Sequence, residues 1–140
     1  STEKKVSAGL REMSMELPVP GILESPFGVF ESKIFSYKKQ KIEEKKYTKW
    51  FDYDKIKNSP CVRTRRQGDY LTVNSEGGRK KLNRIFIDEK IPAEMRDRLP
   101  VVAAGSEILW IPGGRMNEKY KITSTTGRVL ELHYQGGALA

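Results

Sequence analysis

The stretch RKKLNRIFIDEKIPAEMRDRLPVVAAGSEILWIPG, residues 79–113, carries the signals that decide the fold. Within it, Leu82, Ile85 and Phe86 recur at the spacing of one helix face. This spacing predicts a helix over residues 79–91 with those three side chains in the core. The basic residues at its start then lie on or near the opposite face. A pair of glycines precedes them, so the first backbone N–H groups of the helix are expected to lie free beside cations, an arrangement that can hold a phosphate.

The second half of the same stretch predicts a short helix followed by two strands. Pro92 stands at a favoured first helical position and begins a helix over residues 92–99. The apolar runs 100–105 and 107–113 predict two strands that are joined by a tight Gly-Ser turn. Helices that are grouped between strands, rather than alternating with them, are typical of the α+β class.

Strands are also predicted on both sides of this stretch, from alternation and from β-branched and aromatic content. Their count reaches about eight, beside two short helices. The fold class is therefore predicted as α+β, a mostly antiparallel, β-sandwich-like sheet with the two helices packed on one side. The further predicted strands cover residues 29–37, 49–56, 61–67 up to a Gly68-Asp69 turn, and a hairpin over 118–134 that turns near Thr126-Gly127.

With 140 residues, the chain is about one domain long. We expect residues 1–57 to form a lead-in segment with strands and a charged loop, residues 58–136 to form the main C-terminal domain, and residues 137–140 to form a tail. The charged run 38–49 is interpreted as a solvated loop, or as a second phosphate contact if the fold turns it toward the first. Residues 1–16 and 38–48 carry no pattern from which a role can be inferred.

The charge of the chain favours a polyanionic partner. The formal net charge is +8, and the isoelectric point is about 9.6. Much of the excess is concentrated in residues 63–84, where seven bases stand against Asp69 and Glu76. The seven bases are Arg63, Arg65, Arg66, Arg79, Lys80, Lys81 and Arg84.

The residues that catalysis would require are scarce, and no catalytic residue or metal site is predicted. Cys61 is the single cysteine and His133 the single histidine, so neither a disulfide nor a zinc-type set can form within the chain. Both are interpreted as structural, and the Gly-x-x-x-x-Gly-Lys-Ser/Thr phosphate loop is absent. No long apolar run or signal peptide is present, which predicts no membrane association and a cytoplasmic location. Because the first residue is Ser1, we expect a fragment of a longer protein.

The arginines of residues 61–70, CVRTRRQGDY, suit phosphate binding, because a guanidinium can hold two oxygens at once. Asp69 is predicted to be a brace that orients Arg65 or Arg66. The alternative is that these charges only solvate a strand and a helix. Motifs for single-stranded RNA or for a DNA-reading helix are absent, so contact with the backbone of a duplex remains open.

Three segments together resemble the C-terminal domain of bacterial tRNA(Ile)-lysidine synthase in order and spacing. They are VRTRRQGDYL, GGRKKLNRIFIDEKIPAEMRDRLPVV and GSEILWIPGGRMNEKYKIT, and the likeness covers residues 62 to about 124. The resemblance implies a β-sandwich with helices, shared with a domain of the phenylalanyl-tRNA synthetase β subunit. It also implies a tRNA-binding module that grips the acceptor-stem region of an isoleucine tRNA with a CAU anticodon.

In that family, a separate N-terminal domain uses ATP to attach lysine to the wobble cytidine. Its Ser-Gly-Gly-x-Asp-Ser loop does not occur in this sequence. The resemblance thus implies a non-catalytic module without a cofactor of its own, ATP being needed by the parent enzyme. The implied partners are the tRNA and the N-terminal catalytic domain, with a dimer possible.

The positions that match the family's basic motifs are candidates for tRNA contact. Two further candidates, Arg84 and Arg115, are added from charge and closeness in sequence. The alternative function is an interaction or scaffold domain that docks on its own catalytic domain and has no independent RNA affinity. The matching positions are Arg63, Arg65, Arg66, Lys80, Lys81, Arg96 and Arg98.

Overall fold

The computed structural model of the chain describes residues 13–136. Within this range the chain forms two sheets and two short helices. The strands in chain order are β1 (Ser14–Glu16), β2 (Gly21–Ser25), β3 (Gly28–Ser36), β4 (Thr48–Asp52), β5 (Cys61–Arg63), β6 (Tyr70–Thr72), β7 (Arg79–Lys81), β8 (Val101–Ala104), β9 (Glu107–Trp110) and β10 (Arg128–Gly136). The helices are α1 (Leu82–Asp88) and α2 (Ala93–Arg96), and single 3₁₀ turns cover Tyr53–Lys55 and Glu118–Tyr120.

The first sheet has six strands in the order β1-β5-β8-β9-β6-β7, and the second has four in the order β2-β3-β10-β4. Neighbouring strands are antiparallel except for the β6–β9 pair, which is parallel. The predicted class, a mostly antiparallel sandwich-like α+β fold, is confirmed. The tight turn predicted between β8 and β9 is also present, at Gly105 and Ser106, where Gly105 has a φ of +64°.

The second sheet joins the two halves of the chain. β10 comes from the second half and pairs with both β3 and β4 from the first half. The sheet therefore contains strands from both sides of the expected boundary at residues 57 and 58. The expected tail, residues 137–140, and the first twelve residues lie outside the described range.

One strand prediction was wrong at the C-terminal end. Residues 118–134 do not form a hairpin, because Glu118–Tyr120 is a 3₁₀ turn and only β10 is a strand. The Asn117 side chain begins this turn by accepting a hydrogen bond from the Lys119 backbone N–H at 2.9 Å. Asn117 is fully buried, and its amide also donates to the Ile108 carbonyl at 2.8 Å. The alternating residues therefore form one strand, β10, and its partners β3 and β4 lie far away in sequence.

The main core lies between the two sheets. Alternate residues of β10, Leu130, Leu132 and Tyr134, point into it and meet residues of the first sheet such as Trp110. The Tyr134 hydroxyl is also satisfied there, since it donates to the Phe27 carbonyl at 2.6 Å. Because the non-polar surface of two sheets is removed from water together, this core holds them in a fixed arrangement.

A second core lies on the other face of the six-stranded sheet, beneath α1. Leu82, Ile85 and Phe86 are all buried and pack on sheet residues that include Leu71 and Ile108. The predicted apolar helix stripe is confirmed. Burial of each such side chain stabilises the domain by about 1.5–3 kcal/mol. The stripe fixes the rotation of α1, so its polar side chains face outward. No helix within residues 13–136 is long and apolar enough to span a bilayer.

Candidate nucleic-acid interface

The first of the predicted arginines, Arg63, lies inside the domain. Only 1% of its surface is exposed, and its guanidinium forms a two-pronged ion pair with Asp69 at 2.8 and 2.9 Å. The same group donates to the carbonyls of Thr64 and Gly105. Burial alone would lower the pKa of Arg63, but the hydrogen bonds to Asp69 and its negative charge raise it above the ordinary value. Arg63 is therefore a structural cation and is not exposed to an external phosphate.

Asp69 is a brace, as predicted, but of a different arginine. Its carboxylate holds the side chain of Arg63, and it also accepts a hydrogen bond from the backbone N–H of Arg66 at 2.7 Å. The strand predicted over 61–67 ends at Arg63 for this reason, since the chain then turns around the Asp69 carboxylate. Gly68 supports the turn with a φ of +93°, a conformation that residues with a Cβ rarely adopt.

Arg65 connects the turn to both helices. Its Nε donates to Asp97, the residue that ends α2, at 2.8 Å, and its Nη1 donates to Asn83 of α1 at 2.9 Å. The side chain keeps about a quarter of its surface exposed. These partners were not identified from the sequence, although Asn83 falls outside the apolar stripe of α1 and so was expected to face outward. Arg65 thus connects the segment that follows β5 to both helices of the domain.

The second basic segment was predicted to begin a helix, but it does not. Arg79–Lys81 is strand β7, paired with β6, and α1 begins only at Leu82. The Leu82 backbone N–H is not free, because it donates to the carbonyl of Asp69 at 2.9 Å. The predicted phosphate site at a helix start is therefore absent at this position. The same hydrogen bond has another effect, however, since it joins the second basic segment directly to the first.

Lys80 and Arg84 share a single carboxylate on the outer surface of this junction. Asp88 lies 2.5 Å from the Lys80 Nζ and 3.1 Å from the Arg84 Nε. The hydrogen bond from Lys80 lowers the pKa of Asp88, and the charges of Lys80 and Arg84 lower it further. One negative charge is thus shared between two cations, and positive charge remains.

Lys81 and Arg79 lie on the opposite face of the hairpin from Lys80. In the β6–β7 register, Leu71 pairs with Lys80 and belongs to the core beneath α1, so Arg79 and Lys81 face the other way. Lys81 is exposed at the point where the strand becomes helix α1. The Arg79 guanidinium lies over the Tyr70 ring, 4.7 Å from its centroid.

The remaining candidates separate into two groups. Arg96 and Arg98 are half-buried beside Asp97, the residue that holds Arg65. The Arg96 Nε donates to the Ile91 carbonyl at 2.9 Å. Arg115 lies elsewhere, after β9, and donates to the Val73 carbonyl at 3.1 Å.

The structure thus brings most of the predicted bases to the surface around the β7–α1 junction, where Lys81 faces away from Lys80 across the hairpin. We name this surface the basic rim. Asp88 and Asp97 pair with some of its cations, but Arg66 and Lys81 extend into solvent. The side chains of the rim are Arg65, Arg66, Lys80, Lys81, Arg84, Arg96 and Arg98.

Groups that could perform chemistry are few in the part of the chain that the structure describes. Between residues 13 and 136, no three of the His, Cys, Asp and Glu side chains are grouped so that they could hold a metal ion. His133 is exposed on β10, and its Nδ1 lies 2.7 Å from the Thr48 hydroxyl oxygen. Cys61 is a half-buried free thiol at the start of β5. What the rim offers is positive charge with hydrogen-bond donors, which suits phosphate binding.

Comparison with known proteins identifies relatives over most of the chain. The model of the family described as "TilS substrate C-terminal domain" matches residues 61–132. The tRNA(Ile)-lysidine synthase of Caldanaerobacter subterraneus subsp. tengcongensis is 50% identical over 88 residues, which are 63% of this chain and 19% of that protein. The enzyme of the same name from Geobacillus kaustophilus is 38% identical over 123 residues, 86% of this chain and 26% of that protein.

A solved structure agrees with these relatives. The crystal structure of a TilS C-terminal domain superposes with a TM-score of 0.74 at 33% identity, covering 89% of this chain and 96% of that one. The chain matches nearly the whole of that domain. It spans only about a fifth to a quarter of the length of the two curated relatives.

Proposed function

Because the chain belongs to the TilS substrate C-terminal domain family, we propose that it is the tRNA-binding module of a tRNA(Ile)-lysidine synthase. In this proposal the basic rim holds the acceptor-stem region of an isoleucine tRNA that carries a CAU anticodon. The remainder of the parent enzyme, a separate catalytic domain, uses ATP to attach lysine to the wobble cytidine of that tRNA. The reaction takes place in the cytoplasm.

The observation that carries the proposal is the joining of two basic segments that lie apart in sequence. The Leu82 N–H bonds the Asp69 carbonyl at 2.9 Å, and Arg65 bonds Asn83 at the same distance. Cations that merely solvate a surface do not need to converge, and their mutual repulsion opposes convergence. A surface that collects them is favourable when it meets a polyanion, because bound phosphates release their condensed counterions.

The proposal includes only some of the predicted residues. Arg63 is buried against Asp69, and Arg115 is directed to the Val73 carbonyl away from the rim, so neither belongs to the proposed contact surface. Arg66, Lys81 and Arg84 are its exposed members. Arginines can take two phosphate oxygens, whereas lysines act as point charges. Contacts of this kind position an RNA on the domain but do not read its bases.

The test is a binding titration of the whole chain, followed by fluorescence anisotropy, against a labelled acceptor-stem duplex of the isoleucine tRNA. An unrelated RNA duplex of equal length serves as a second ligand. We expect submillimolar affinity that falls steeply with salt, and weaker binding by Arg66→Ala and Lys81→Ala. Lys33→Ala is the matched control, since Lys33 is exposed on β3 outside the rim.

Unchanged affinity in both rim variants would overturn the site assignment. Equal binding of the two duplexes would leave phosphate affinity but remove the preference for the acceptor stem. An absence of RNA binding, combined with tight association between this chain and the rest of the enzyme, would instead establish the alternative function of an interaction domain that docks on its own catalytic part.

A further inference from the structure

The β6–β7 hairpin carries cations on both of its faces, and the second face borders a groove of about 550 Å³. The groove lies between this hairpin and the loop that follows the 3₁₀ turn at Glu118–Tyr120. Its basic side chains come from three separate segments of the chain. We name it the lysine groove, and its cations are Lys55, Arg79, Lys119 and Lys121.

The lysine groove is distinct from the basic rim. Arg79 and Thr72 pair across the hairpin and line the groove, whereas Lys80 and Leu71 pair on the face toward α1. Since successive residues of a strand point to opposite faces, the hairpin separates Arg79 from Lys80, and Lys81, which faces the same way as Arg79, does not line the groove. An anion in the groove would therefore meet a different set of side chains from an anion on the rim.

The charges in the groove are incompletely neutralised by nearby acids. Lys121 pairs with Glu118 at 2.9 Å. Lys119 and Lys55 lie at 3.8 Å from Glu107 and Asp52, and both of these carboxylates are engaged by other groups as well. The Glu107 carboxylate accepts from the Tyr120 hydroxyl, and that of Asp52 accepts from Thr126. Ion pairs at 3.8 Å with half-exposed lysines are weak, so Lys55 and Lys119 are available for a stronger anion.

The rest of the lining suits a phosphate and is held in place. The Asn74 carboxamide oxygen accepts from the N–H groups of Glu76 and Gly78 at 3.0 and 2.9 Å, which fixes the tip of the hairpin. Ser75, next in the chain, lines the groove with a hydroxyl. Arg79 is held over the Tyr70 ring. Because these groups are already ordered, little conformational entropy is lost when an anion binds.

We propose that the lysine groove is a second phosphate-binding site, which takes a phosphodiester of the RNA backbone that the basic rim holds. The source of the phosphate rests on the proposed RNA-binding function, whereas the affinity of the groove for phosphate does not. Four cations line this concave surface beside Glu118, and a concave surface with an excess of positive charge attracts anions. With this groove, the β6–β7 hairpin lies between two phosphate contacts rather than beside one.

The test compares two double variants of the whole chain in the anisotropy titration with the acceptor-stem duplex. Lys119→Gln/Lys121→Gln removes two charges from the groove and leaves polar side chains that are one bond shorter. Lys33→Gln/Lys45→Gln removes two exposed charges outside the groove and the rim. We expect the groove variant to bind the duplex about five- to twentyfold more weakly, with the slope of log affinity against log salt reduced by about two. The control should keep nearly the affinity of the unaltered chain.

A second arm uses inorganic pyrophosphate and follows the backbone amide resonances of Ser75, Gly77 and Thr123 by NMR.

If the groove variant retains its RNA affinity while Arg66→Ala/Arg84→Ala loses it, RNA is not the source of the phosphate and the proposed function stands. If the unaltered chain binds no RNA, the proposed function fails and pyrophosphate alone decides. Saturable shifts that disappear in the groove variant then support a site for free phosphate. Absence of both the RNA effect and the pyrophosphate shifts overturns the inference.

Discussion

Arg63 and Arg66 stand three residues apart in one basic stretch, yet they belong to opposite environments. Arg63 is 1% exposed and bound to Asp69 through two hydrogen bonds, whereas Arg66 is exposed on the basic rim. A buried guanidinium is held by its partner and contributes to the fold, whereas an exposed one remains available to an external anion. The comparison teaches that the count of bases in a sequence overstates the positive surface that RNA can reach.

The largest effect is expected at the buried member of this comparison. Arg63→Ala leaves the Asp69 carboxylate buried without its counterion, which should reduce the free energy of unfolding by about 3–5 kcal/mol. Urea denaturation followed by circular dichroism measures this loss. Arg66→Ala should change the same quantity by no more than about 0.5 kcal/mol. Similar losses for the two variants would break the distinction between an interior and an exterior arginine.

Arg65 lies between these extremes and should show both kinds of effect. Arg65→Ala removes the bonds to Asn83 and Asp97, which should cost about 1 kcal/mol of stability, and it removes one cation from the rim. Denaturation and RNA titration of the same variant separate the two consequences. Arg65→Lys keeps the charge but loses the planar fork, so it should recover more RNA affinity than stability. Full recovery of both would show that the fork has no structural role.

Removal of an acid from the rim should strengthen RNA binding. Asp88 neutralises part of the charge of Lys80 and Arg84, so Asp88→Asn should tighten binding of the acceptor-stem duplex by about two- to fivefold. Asp54→Asn is the matched control, because Asp54 pairs with Arg128 outside the rim. Weaker binding by Asp88→Asn would mean that Asp88 orders the rim for RNA rather than competing with it.

The smallest effect concerns acid stability. The pKa of Asp88 is lowered below 3.8 by the hydrogen bond from Lys80, with further lowering by the charges of Lys80 and Arg84. A lowered folded-state pKa means that the pair stabilises the fold fully above the unfolded pKa and loses this effect as the pH falls through the folded value. Below about pH 4, the free energy of unfolding of Asp88→Asn should therefore fall less steeply with decreasing pH than that of the unaltered chain. If urea denaturation gives the same decrease in the free energy of unfolding at acid pH for both proteins, the lowered pKa of Asp88 is contradicted.

Local sequence patterns predicted the parts of the fold that depend on local periodicity. The spacing of Leu82, Ile85 and Phe86 predicted the buried face of α1, and all three are buried. The local pattern could not predict that Arg79–Lys81 is a strand, because a Gly-Gly pair before charged residues fits a hairpin as well as a helix start. The choice is made by pairing with β6, a tertiary interaction.

The candidate site was predicted in its composition but not in its arrangement. RTRR gives no sign of which arginine turns inward, because this depends on the carboxylate of Asp69 and on the Gly105 carbonyl, 42 residues away from Arg63. The lysine groove was missed entirely. Lys55, Lys119 and Lys121 are dispersed among acids in the sequence, and the fold alone brings them to Arg79.

The most direct test of the account is the salt dependence of RNA binding by the triple variant Arg66→Ala/Lys81→Ala/Arg84→Ala beside the unaltered chain. The account predicts that the slope of log affinity against log salt falls by about three, one for each lost phosphate contact. The free energy of unfolding should stay within about 1 kcal/mol of the original, since all three side chains are exposed. An unchanged slope in a folded triple variant would contradict the claim that the basic rim holds RNA through its phosphates.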